Sequence, residues 1–232
     1  MAKDIICVGD SLTHGIVGWS YIDFSRLKSR MVNHGVDGDT LAGVTQRIDA
    51  ILANSPDAQH LVLSIGTNDT VFPFLSTQFG WRKEMTARSK LKQCERVDER
   101  FAENYRSLVQ RISSAGLSVV LVGLPLVEMK GFPTAELARR SDLIKQIADE
   151  QGTQFVDIAD AMRKVSQVHD AHYSWTGRKL LRVADAKAMQ VAPQIKDRLA
   201  RSRRLDLTVD GVHWTSETAG AIARAIDSAL VP

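Results

Sequence analysis

Short apolar runs alternate with amphipathic stretches along most of this chain. Residues 4–8 (Asp4-Ile5-Ile6-Cys7-Val8) are short, apolar and β-branched and read as a buried strand; residues 31–33, 61–65, 117–124 and 154–157 read as further strands, 117–124 being the most apolar. Between them, residues 21–30, 41–54, 99–115, 135–151 and 215–230 read as helices. Leu41, Val44, Ile48, Ile51 and Leu52 share one helical face, and Tyr105, Leu108, Val109 and Ile112 form another inward stripe. Gly116 and Gly152 stand where helices stop, and Thr215 or Ser216 opens the last one. This alternation predicts an α/β fold with a parallel sheet covered on both faces. Two stretches, at about 70–98 and 159–209, are too long for plain connections and read as structured insertions. No repeat or low-complexity linker divides the chain, so residues 1–232 read as one domain carrying both insertions.

Composition narrows the class. With 44% hydrophobic and 25% charged residues, the 232-residue chain is neither disordered, collagen-like nor a membrane protein. No apolar run is long enough to span a bilayer. The net charge of +3 is spread along the chain and does not call for nucleic acid. Cys7 reads as a buried small apolar residue and Cys94, in a charged stretch, as exposed; two such cysteines make no disulfide framework. Met1-Ala2-Lys3 runs straight into the first strand without an apolar leader, so a cytoplasmic location is expected.

The chemistry-bearing residues fall at the ends of the strands. Gly9-Asp10-Ser11-Leu12 follows the first strand, and Asn33 to Thr40, holding Gly35 and Gly38, follows the second. Gly66-Thr67-Asn68-Asp69 follows the third, and Asp210-Gly211-Val212-His213 precedes the last helix. A parallel sheet brings such ends to one edge. Ser11 is a weak nucleophile unless a neighbour takes its proton, and His213 suits that near neutral pH. Asp210, three residues earlier, can curl back to the imidazole and fix its tautomer. The backbone N–H of Ser11, the N–H of Gly38 and the amide of Asn68 can face an oxyanion.

These four blocks, in this order and spacing, resemble the SGNH hydrolase superfamily, also called GDSL esterases and lipases. The resemblance covers nearly the whole chain. It implies a flavodoxin-like, three-layer α/β/α fold with five parallel strands. It also implies a Ser11-His213-Asp210 triad, an oxyanion hole of Ser11, Gly38 and Asn68, and neither cofactor nor metal. The expected substrate is a small-molecule ester cleaved through an acyl-enzyme. The same triad serves an acyltransferase or thioesterase equally well, and a non-catalytic flavodoxin-like module is a further alternative. The two insertions depart from the family pattern and leave the substrate and oligomeric state open.

Several residues have plainer readings. Ser11 on its tetrapeptide alone fits a helix N-cap. Asp10 and Asp69 read as loop anchors through backbone N–H groups. Gly35 serves a turn if Gly38 is the oxyanion glycine. His14 is a rival base with no matching acid. His169 with Asp170, or His172, is too thin a set for a metal site and reads as surface loop. Phe72, Phe74, Phe79 and Trp81 either line an acyl pocket or form the insertion's own small core; Phe72, Phe74, Trp81 and Trp214 are the expected pocket residues. Lys196, Arg198, Arg201, Arg203 and Arg204 read as a solvated helix face.

Overall fold

The strands form one sheet whose order, not merely its existence, positions the site. The computed structural model describes residues 4–166 and 173–231. In chain order it contains β1 (Ile5–Gly9), α1 (Ser11–His14), β2 (Met31–Gly35), α2 (Leu41–Ala53) and β3 (His60–Ser64). Then follow α3 (Thr67–Leu75), α4 (Arg82–Leu91), α5 (Asp98–Ser114), β4 (Ser118–Val122), α6 (Thr134–Gln151) and β5 (Gln154–Val156). The chain ends with α7 (Ile158–Arg163), α8 (Lys179–Val191), α9 (Lys196–Ser202) and α10 (Ser216–Leu230).

All neighbouring strands pair in parallel, in the order β2-β1-β3-β4-β5. The chain leaves β1 toward one edge and returns past it to β3. That reversal opens a crevice at the C-terminal ends of β1 and β3, where open α/β sheets place their ligands. Right-handed crossovers explain why α2, α5 and α6 pack side by side on one face. The α7 and α10 helices, with the 3-10 turn at Tyr21–Phe24, cover the other. Between these layers Ile5, Ile6, Val8, Leu61, Val62 and Leu63 lose all solvent contact. Each such side chain contributes about 1.5–3 kcal/mol of burial.

Residues 21–30 do not form the expected helix. Two 3-10 turns, Tyr21–Phe24 and Lys28–Arg30, flank an extended Ser25. The buried carboxylate of Asp227 on α10 accepts the Ser25 hydroxyl at 2.5 Å and the Arg26 N–H at 2.9 Å. A tertiary acceptor thus replaces the helical carbonyls, and the segment docks on α10 instead of continuing. Both insertions are largely helical. The first begins within α3, which starts at Thr67, so Gly66-Thr67-Asn68-Asp69 opens a helix.

Cys94 is half-buried, not exposed: its thiol donates to the Asn68 carbonyl at 3.6 Å. Two members of the basic run are also inside. Lys196 is buried, donating to the Gly15 and Gly18 carbonyls at 2.9 and 2.6 Å. Arg203 bonds the Val209 carbonyl at 2.8 Å and Asp185 at 2.6 Å. Arg198, Arg201 and Arg204 are solvated as expected. His169, Asp170 and His172 lie outside the described residues. No helix among the described residues is long and apolar enough to cross a membrane.

Candidate active site

Ser11 is the first residue of α1, directly after β1. Asp10 caps that helix, its carboxylate accepting the Leu12 N–H at 2.9 Å, which fulfils its reading as a loop anchor. The turn is tight enough to require Gly9. A Cβ there would stand 2.2 Å from Thr13 Oγ1 and 2.5 Å from the Ser64 carbonyl. Ser11 Oγ lies 2.9 Å from His213 Nε2, across 202 residues of chain.

His213 arrives on a narrow loop. Thr208 and Trp214 bridge in antiparallel fashion, and the Val209 N–H bonds the His213 carbonyl at 2.7 Å. Within the loop Asp210 turns back on itself. Its Oδ1 accepts the Val212 and His213 N–H groups at 3.0 and 2.8 Å, and its Oδ2 lies 2.8 Å from His213 Nδ1. Glu128, buried between β4 and α6, fastens the base of the loop by accepting the Thr208 N–H at 2.8 Å and the Asp206 N–H at 3.1 Å.

Asp210 is fully buried, yet it is not neutral. Burial alone would raise its carboxyl. The Arg182 guanidinium, the His213 ring and the bonds it accepts from His213 outweigh that and hold it well below the usual carboxylate range. Arg182 comes from α8 in the second insertion. It pairs with Asp210 Oδ2, lies 3.1 Å from Asp185 and stacks 4.7 Å above Trp175. The Trp175 indole in turn donates to the Asp210 carbonyl at 2.7 Å.

The other blocks converge on the same point. Gly38 has a left-handed backbone (φ 69°), as its turn demands, and its N–H has no partner among the described residues. Gly35 instead ends β2 against the His14 backbone; a Cβ on it would lie 2.3 Å from His14 N. The Asn68 amide, buried at the start of α3, donates to the Asp39 carbonyl at 2.9 Å. Its second contact, to Asp10 Oδ2 at 3.5 Å, is at the limit of a hydrogen bond. Asp69 ties the block down by accepting the Leu41 and Glu95 N–H groups at 3.0 and 2.8 Å. Burial pushes Asp10 up to about 7 and Asp69 up to about 6. His14 has an acid after all, with Nδ1 lying 3.0 Å from Asp37 Oδ1, but its bonds lead to that surface pair and not to Ser11.

A cavity of about 230 Å³ opens on Ser11, Gly38, Asn68 and His213. Its walls come mainly from the two insertions, with Phe72, Leu75, Trp81 and Met85 on one side and Trp175 and Val183 on the other. A larger cleft of about 420 Å³ beside Asp197 and Ser216 touches none of Ser11, Gly38, Asn68 or His213. Two expected pocket residues are placed elsewhere. Phe74 packs edge-on against Phe132, centroids 5.1 Å apart, and Trp214 is fully buried behind the His213 loop. Phe79 is exposed at the insertion's tip. The insertions lock together, since the Trp81 indole donates to the Trp175 carbonyl at 2.7 Å.

The family model for GDSL-like lipases and acylhydrolases matches residues 7–180. The chain belongs to this family. Ester hydrolysis is the class of activity that membership carries. A comparison with curated proteins finds no match. Solved structures share the fold of this family member at low identity. A GDSL-like lipase from Bacteroides thetaiotaomicron is 16% identical, with 98% of this chain and 88% of the other covered and a TM-score of 0.63. A variant of an acetyl xylan esterase from Geobacillus stearothermophilus is 19% identical, with 98% and 94% covered and a TM-score of 0.63. An alpha/beta hydrolase from the metagenome of Lake Arreo is 18% identical, with 97% and 93% covered and a TM-score of 0.62.

Proposed function

We propose that this family member hydrolyses small-molecule carboxylic esters through an acyl-enzyme formed on Ser11. The observation that carries the reading is the unbroken line from Ser11 Oγ through His213 to the buried Asp210, at 2.9 and 2.8 Å. Ser11 Oγ attacks the acyl carbonyl while its proton passes to His213 Nε2. Asp210 holds the other ring nitrogen and stabilises the imidazolium. The tetrahedral oxyanion forms beside the Ser11 N–H, which the first turn of α1 leaves unpaired, and beside the free Gly38 N–H. Asn68 turns its loosely held N–H from Asp10 to the same oxygen. Collapse breaks the C–O bond to the alcohol, which leaves with the proton from His213. Water, deprotonated by His213, then attacks the acyl-serine and releases the acid and Ser11.

A binding-only module has no use for a buried carboxylate aligned on a histidine that reaches a serine. Ser11→Ala is expected to cut kcat for p-nitrophenyl acetate by about 10⁴-fold or more while circular dichroism stays unchanged. A folded Ser11→Ala protein with near-normal turnover overturns this assignment.

A further inference from the structure

Four charged side chains face the cavity beside Ser11: Asp37, Glu84, Arg88 and Arg182. Three of them are matched. Asp37 pairs with His14 at 3.0 Å, Glu84 pairs with Lys179, and Arg182 pairs with Asp210 and Asp185. The Arg88 guanidinium pairs with no carboxylate and makes no hydrogen bond among the described residues, while its backbone carbonyl accepts the Lys92 N–H at 2.8 Å. It is half-buried on α4, in the first insertion.

Its position is nonetheless defined. The guanidinium lies 5.2 Å from the centre of the Phe72 ring, a cation–π contact. One of its terminal nitrogens, Nη2, stands 3.1 Å from where a Cβ on Gly38 would be. The cation is therefore held against the glycine whose N–H faces the expected oxyanion. Stacking on a ring occupies a face of the guanidinium and leaves its N–H edge free, the edge that grips carboxylate and phosphate in a bidentate way. The walls around it are largely apolar, with Phe72, Leu75, Trp81 and Met85 beside it, which strengthens any pairing made there compared with open water.

We propose that Arg88 is a specificity-determining residue that binds an anionic group, a carboxylate or a phosphate, on the ester substrate. The inference rests on the Ser11-centred reading of the site and adds the charge of the substrate to it. The ester bond then sits at Ser11, with the anion carried a few bonds away toward α4.

Three esters of one shape test this: p-acetoxybenzamide, which is neutral, p-acetoxybenzoate, and p-acetoxyphenyl phosphate. The expected result is kcat/KM for at least one anionic ester about tenfold or more above the neutral one. The gain should appear mainly in KM. Whichever anion gains more identifies the group. Arg88→Gln should bring the anionic-to-neutral ratio to within about twofold of one, and Arg88→Lys, which keeps the charge without the fork, should retain part of it. A ratio near one in the unmodified protein, or a ratio that Arg88→Gln leaves unchanged, overturns the proposal. Hydrolysis of the neutral ester without anion preference refutes Arg88 alone. Failure to hydrolyse any of the three, with Ser11 inert to a serine-directed phosphonate, refutes the site reading beneath it.

Discussion

The sheet edge and the two insertions meet at one cavity but are built by different means. At the edge, much of the fixing is done by residues of the same segment or of the adjacent strand end. Asp10 caps α1, Asp210 folds back on Val212 and His213, and Asp39 pairs with Arg47, which also reaches the Gly9 carbonyl at 3.0 Å. In the insertions the fixing contacts cross long stretches of chain. Trp81 leans on Trp175 and Arg182 runs to Asp210. On the proposed reading the edge supplies the reacting atoms, and the insertions, which form most of the cavity wall, select the ester. Arg182 blurs the division, because an insertion residue sits directly on the acid of the expected triad.

The sharpest way to confirm the edge as the reactive region is to remove a donor there without touching the wall. Asn68→Ala is expected to lower kcat by about 10²–10³-fold, with KM little changed, in steady-state ester hydrolysis. A fall confined to KM would move Asn68 from the oxyanion to ground-state binding.

Arg182→Met tests whether the second insertion reaches into the chemistry. The substitution leaves Asp210 buried without its cation, so denaturant unfolding should show a loss of about 3 kcal/mol. For the remaining folded enzyme, a fall of about tenfold in kcat/KM, roughly 1.4 kcal/mol of transition-state stabilisation, is expected. The pH profile distinguishes positioning from simple destabilisation. Ser11, Asp210 and Arg182 surround the His213 site, and the charge on Asp10 also acts there. Without the guanidinium, the Asp210 carboxyl loses one of the charges that hold it down and protonates at higher pH, so the acidic limb of kcat/KM should move to higher pH. In the unmodified protein the Arg182 and His213 charges hold the Asp210 carboxyl well below its ordinary value, so it stays ionised through the assay range. An unmoved limb would make Arg182 a structural brace only.

The same division explains what could be read from the chain. The strands were legible as short segments in a regular alternation, most plainly β1, β3 and β4, which are apolar runs, and the four blocks because their residues keep close company in sequence. Residues 21–30 misled because their spacing suits a helix while the acceptor that redirects them, Asp227, lies 202 residues from Ser25. Arg182, Glu128 and Lys196 carried no signal. Their partners stand 28, 80 and 181 residues away, and a basic run or a lone acid looks solvated until the fold closes. Of the insertion aromatics, Phe72 and Phe74 stand two positions apart on α3, about 200° around its axis, which sends one to the cavity and the other to Phe132.

The most direct measurement is intact-mass and peptide mapping of the protein after treatment with a serine-directed fluorophosphonate. The account predicts one adduct, on Ser11, forming in step with loss of ester hydrolysis and absent from Ser11→Ala. Complete loss of hydrolysis with the adduct on another serine, or sustained hydrolysis with Ser11 fully labelled, would contradict it.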